Sequence, residues 1–171
     1  METRAFFHGR YLNAVDAKGR VSLPADMRGV IATRAREATA TGAYVNDRDL
    51  MIAAHREMPC LKGFDVGFLP TLHMQAEEGV AHLTGAERLA ASELAHAALF
   101  GDIEKTSFDE PGRMVLPPQS RAMAGIEGMA LFVGAGTIFH IWNPDDYLAC
   151  DLIAEFDKRA VRALIATRGG K

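Results

Sequence analysis

Cysteine is nearly missing from this chain: Cys60 and Cys150 are the only two in 171 residues, far apart and without a C-x-x-C pair. That excludes a disulfide framework and a zinc knuckle, and it points to a reducing cytosol. No stretch approaches the ~18 consecutive apolar residues of a membrane span. The opening residues, Met1 to Phe7, lack the apolar run of a secretory signal, so an unsecreted, soluble protein is expected. Proline and glycine are too few (7 and 16) for a collagen-like or low-complexity chain, while 49% hydrophobic content supports a folded core in one domain or two small ones.

Signs of catalysis are equally sparse. The six histidines, His8, His55, His73, His82, His96 and His140, fall in no H-x-x-x-H or H-E-x-x-H spacing. Ser22, Ser92, Ser107 and Ser120 lie in no nucleophile elbow, and the glycines form neither a phosphate-binding loop nor a dinucleotide fingerprint. The expectation is a non-enzyme, with no catalytic residue, metal site or cofactor. A small β-barrel enzyme is an alternative on fold grounds alone.

What is present begins with uneven charge. The net charge is -3, yet Met1 to Arg36 carries seven basic residues against three acidic ones. A basic end on an otherwise acidic chain is the electrostatic footprint of a polyanion-binding surface.

The strongest signal is an internal repeat. Asp16-Ala-Lys-Gly-Arg-Val-Ser-Leu-Pro-Ala-Asp-Met-Arg28 aligns with Asp109-Glu-Pro-Gly-Arg-Met-Val-Leu-Pro-Pro-Gln-Ser-Arg121, matching Asp, Gly, Arg, Leu, Pro and Arg at a constant offset of 93 residues. Phe7 maps to Phe100 at the same offset. Each Asp-x-x-Gly-Arg reads as a hairpin turn, Asp suiting its first position and Gly its left-handed one. Tyr11, Asn13 and Val15, then Val21 and Leu23, predict flanking strands; Ala25–Ile31 and Pro118–Ala124 predict short helices. Ala43-Tyr-Val45 resembles Leu131-Phe-Val133, and each is followed by an apolar strand, Leu50–Ala54 and Ile138–Trp142. Pro59 to Pro70 reads as irregular and Gly85 to Leu99 as helical. One long helix is expected from the Asn143 cap and Pro144 to about Thr167, with Trp142 stapled onto Tyr147.

The motifs Phe7-His-Gly9, Asp16-Ala-Lys-Gly-Arg-Val-Ser-Leu-Pro24 and Asp109-Glu-Pro-Gly-Arg-Met-Val-Leu-Pro117 resemble the MraZ family, which is built of two SpoVT-AbrB units. The resemblance implies a mainly β fold with helices (α+β), in which two interlocked SpoVT-AbrB-like repeats form a swapped-hairpin double-split β-barrel. On that division the repeats are 8–54 and 98–143, with a helical linker at 55–97 and a C-terminal helix and tail at 144–171. It also implies homo-oligomeric rings and repression of the division and cell-wall gene cluster through short direct promoter repeats, in the cytoplasm at the nucleoid. His8 stands where the family has Arg.

Features common to both copies are read as turn formers: Asp16, Gly19, Asp109, Gly112 and Arg113. Features confined to the first are read as the DNA contact: Lys18 beside Arg20, with Arg10, Arg4 and Arg28 nearby, against Pro111 and Ile103 in the second copy. An ammonium suits phosphate, and a guanidinium suits guanine. The expected partners are therefore double-stranded promoter DNA and further copies of the chain. A ring-forming module that binds a protein is the rival reading.

Overall fold

A computed structural model describes residues 5–43 and 45–169. The chain runs β1 (Arg10–Ala14), β2 (Arg20–Ser22), α1 (Ala25–Ala40), β3 (Asp49–Ala54), β4 (Cys60–Phe64), a 3-10 turn at Val66–Phe68, α2 (Leu69–Gly79) and α3 (Gly85–Phe100). It then repeats the plan as β5 (Glu104–Ser107), β6 (Arg113–Val115), α4 (Pro118–Met123), β7 (Met129–Ala135), β8 (Ile138–Trp142), α5 (Pro144–Ala149) and α6 (Glu155–Gly169). This is the expected α+β class.

Strands pair mostly between the units. A six-stranded antiparallel sheet has the order β1-β7-β8-β4-β3-β5, and β2 pairs with β6 in a separate two-stranded ribbon. Arg10 lies opposite Val133, Leu50 opposite Thr106, and Leu61 opposite Ile141. The largest core cluster is correspondingly shared, joining Val21, Leu23, Met27, Ile31, Ile52 and Leu61 to Met114, Leu116, Phe132 and Phe139. Two smaller clusters lie under the helices, Trp142, Tyr147 and Val161 beneath α5 and α6, and Phe64, Phe68 and Leu72 beneath α2.

Several expectations need correction. The turns form, but beyond them β1 and β2 do not ladder together, since β1 pairs with β7 and β2 with β6. A side chain bridges the gap instead, Asn13 Nδ2 donating to the Ser22 carbonyl (2.7 Å), and Thr106 Oγ1 does the same between β5 and β6 by donating to the Val115 carbonyl (3.0 Å). Residues 60–64 form a strand, not irregular chain; Lys62 and Gly63 hid it. Gly63 is required there because a Cβ would stand 2.2 Å from the Phe139 ring, which lies across it. Ala43 and Val45 belong to no strand, so β3 corresponds to β7, and β4 to β8.

The first helix has 16 residues against 6 in α4, which is why the constant offset ends there. Its second half, Ala32 to Ala40, is rich in strong helix formers. It is anchored by buried Arg34, whose Nε donates to the Ala5 carbonyl (2.9 Å) and whose Nη1 meets Asp65 (2.6 Å). The single C-terminal helix is two: the chain turns at 150–154, which lets α6 cross β1 and bury Val161 against Trp142. The expected Asn143 cap is there, its side chain accepting from the Asp145 amide (3.0 Å), and so is the Trp142–Tyr147 contact, with rings 5.2 Å apart.

Candidate nucleic-acid interface

The two turns are near copies. Asp16 Oδ1 accepts from the amides of Lys18 and Arg20 (2.9 Å each), and its Oδ2 takes Arg20 Nε at 2.6 Å. Asp109 does the same for the amide and Nε of Arg113 (2.7 and 2.9 Å). Gly19 and Gly112 close the turns at φ 77° and 95°, where a side chain would be strained. The hydrogen bonds from the Arg20 amide and guanidinium hold the Asp16 carboxyl below its ordinary pKa. At Asp109 burial works the other way, and the bonds from Arg113 overcome it.

Each carboxylate engages Nε of its arginine, and both arginine side chains are more than half exposed, 58% for Arg20 and 68% for Arg113. The terminal nitrogens of each make no hydrogen bond among the described residues. A fork of donors is therefore held by its base and left open at its tip.

The turns also lock into each other. The Gly19 carbonyl accepts from the Leu116 amide (2.9 Å), and the Gly112 carbonyl from that of Leu23 (2.8 Å). Arg121 packs beneath Gly19, and Arg28 beneath Gly112, where a Cβ would meet their side chains at 2.8 and 2.6 Å. Arg28 also donates to the Glu110 carbonyl (3.2 Å). The closing Arg of each motif thus supports the other unit's turn.

Between the tips runs the β2–β6 ribbon. Val21 and Met114 face inward, while Arg20, Ser22, Arg113 and Val115 are exposed, with Ser22 directly across from Arg113 and Arg20 from Val115. A groove of about 750 Å³ follows it, lined by Asp16, Arg20, Ser22, Asp109, Arg113 and Val115 among others.

The frame is symmetric but the charge is not. Asp16, Lys18 and Arg20 sum to +1 on the first turn; Asp109, Glu110 and Arg113 sum to -1 on the second. Lys18 and Glu110 are both exposed. Of the residues read as DNA contacts, the structure brings Lys18 and Arg20 together at one tip, and places Arg28 at the base of the other turn. Arg10 stands apart, at the far end of β1, ion-paired with Asp157 of α6. Arg4 lies outside the described residues.

Sequence reasoning missed Ser22, Val115, Glu110 and Arg121. The period-2 alternation around Val21 and Met114 places the first two on an outer face, but nothing local reveals that those faces adjoin. No helix is long and apolar enough to cross a membrane among the described residues.

Residues 99–163 match the family model described as "MraZ protein, putative antitoxin-like". A protein of Rhodospirillum rubrum named Transcriptional regulator MraZ is 36% identical over 138 residues, covering 81% of this chain and 79% of its own. Its namesakes in Gluconobacter oxydans and Rickettsia canadensis are 31% and 32% identical over 141 residues, covering 82% of this chain and 77% and 83% of theirs. All three are named as transcriptional regulators, and the enzyme alternative gives way to that. Similarity at this level, sustained over four-fifths of the chain, shows that the protein belongs to the MraZ family of transcriptional regulators.

Proposed function

We propose that this regulator binds promoter DNA through the first turn and the adjoining β2–β6 ribbon, as a homo-oligomeric ring in the cytoplasm at the nucleoid, and represses the division and cell-wall gene cluster. The observation that carries the reading is the open guanidinium fork of Arg20 beside exposed Lys18, on a tip of net +1. The major groove, about 12 Å wide, admits a two-stranded ribbon. Arg20 reads a base edge from that ribbon, and Lys18 meets phosphate. The second turn, with Glu110, is repelled by the duplex and serves the frame.

One tip neutralises few phosphates, and each contributes a salt slope of only about 0.9. Affinity then requires several tips, which a ring supplies by raising the effective concentration of each later contact. The helices offer surfaces for such assembly: Leu89 and Leu94 on α3 and Phe156 on α6, with Leu152 just before it, are 65–71% exposed. Joining the α3 face of one copy to the α6 face of the next is a head-to-tail contact, the kind from which a ring is built when its rotation closes, and it suits direct repeats on DNA. The same apolar faces favour the second reading, a module that docks another protein.

Fluorescence anisotropy on DNA from the promoter of its own operon, against scrambled DNA, separates the two. Specific, salt-sensitive binding is expected, and Arg20→Ala should weaken it by roughly 5- to 160-fold, the effect of losing about 1–3 kcal/mol of base recognition. Arg113→Ala should cost much less. Equal losses would refute the division of labour, and no preference over scrambled DNA would refute DNA reading altogether. Native mass spectrometry tests the ring.

A further inference from the structure

Thymine is the one base that shows the major groove an apolar group, its 5-methyl, and the β2–β6 ribbon carries one apolar side chain on its outer face. That side chain is Val115, 45% exposed, where the other outward residues, Arg20, Ser22 and Arg113, are charged or polar. We propose, resting on the DNA reading above, that Val115 completes the first tip from the opposite unit. It contacts the 5-methyl of a thymine within one or two base steps of the guanine that Arg20 takes, so the ribbon selects guanine and thymine as close neighbours.

The register places Val115 at the first tip and not at the second. β2 and β6 run antiparallel, with Arg20 opposite Val115 and Ser22 opposite Arg113. Directly opposed residues hold their Cβ atoms about 4.5–5.5 Å apart, against a rise of about 3.4 Å per base along a strand, which sets the reach of one or two steps. Two hydrogen bonds fix the placement. The Leu116 amide donates to the Gly19 carbonyl inside the first turn (2.9 Å), and Thr106 Oγ1 donates to the Val115 carbonyl from the other side (3.0 Å). Val115 and Arg20 line the same groove, and a β-branched side chain is stiff enough to present its methyls with little loss of rotamer freedom.

The offset of 93 residues pairs Val115 with Ser22, so the two ends of the ribbon differ. At the first tip a guanidinium stands beside an apolar side chain, and at the second, Arg113 stands beside a hydroxyl. Strand propensity favours valine equally in either copy and does not account for its presence in one alone. The difference runs the same way as that of Lys18 against Glu110, yet it owes nothing to charge. Reading features drawn from both units therefore gather at one end of the ribbon.

Fluorescence anisotropy of the full chain on promoter DNA of its own operon tests this, with uracil, which lacks only the methyl, placed for one thymine at a time. At one thymine within two steps of a guanine whose replacement Arg20→Ala no longer feels, affinity should fall about fourfold, the effect of leaving one methyl unburied. Val115→Ser should bind the thymine duplex more weakly and no longer tell thymine from uracil there, while Val115→Thr, which keeps a methyl, should retain the preference. Equal affinities for thymine and uracil at every position, in a chain that still prefers promoter to scrambled DNA, overturn the inference and leave the DNA reading standing. No preference over scrambled DNA refutes both. A uracil effect that Val115→Ser keeps in full also overturns the inference, since the methyl then acts through the shape of the duplex. Should Val115→Ser fail to fold, crosslinking of the unaltered chain to 5-iodouracil at the same position decides. Attachment to the tryptic peptide Met114–Arg121 supports the contact, and attachment elsewhere overturns it.

Discussion

At the scale of single residues, the two turns separate what a motif builds from what it presents. Asp and Arg hold the same pair of bonds in both copies and Gly the same left-handed turn, the one backbone difference being the Lys18 amide, which Pro111 cannot match. Exposed neighbours tell the tips apart, and a swap should transfer the property: Glu110→Ala with Pro111→Lys turns the second tip from -1 to +1. In the anisotropy titration that variant should bind DNA more tightly and with a steeper salt slope, by roughly one unit per added phosphate contact. Gly63 is a different kind of dependence, one on space. Gly63→Ala drives a methyl into the Phe139 ring, and chemical denaturation should show a loss of about 1–3 kcal/mol, the usual cost of overpacking.

Among elements, β4 and β8 carry a pH dependence. His140 lies across from Lys62 and 5.6 Å from the His55 ring. Burial, then the nearby His55 and Lys62, push its pKa down to about 4 from 6.5. The unfolded chain therefore binds this proton more readily than the folded one. Stability contributed by neutral His140 is complete above pH 6.5 and falls as the pH drops toward about 4, by roughly 3 kcal/mol at most. Urea midpoints across that window should decline, and His140→Gln should flatten the decline.

This is also the scale at which the sequence is readable only in part. The turns, α3, β8 and the Asn143 cap follow from local chemistry and are where the pattern puts them. β4 escapes because Lys62 and Gly63 interrupt its apolar run, and Gly63 is glycine for the sake of a ring on a distant strand. Arg10 looks like part of the basic cluster because sequence counts charges without their partners; Asp157, 147 residues away, takes it. The ribbon face was equally hidden, since β2 and β6 meet only through the fold.

For the whole molecule, the decisive fact is that neither unit owns a complete sheet or core. Because β1 needs β7, β3 needs β5, and Val21 packs with Met114, loss of one half exposes edges and apolar surface of the other. Thermal unfolding should be a single transition, with calorimetric and van't Hoff enthalpies in agreement. Two resolved transitions would show the units to be independent.

The pairing of Arg10 with Val133 also bears on how the chain is made. Its first strand emerges from the ribosome more than a hundred residues before the strand that completes it. At about 5–20 residues per second that interval lasts several seconds or more, with an unsatisfied edge held open throughout. An edge left open for that long is one at which a nascent copy can pair with another before its own β7 is made.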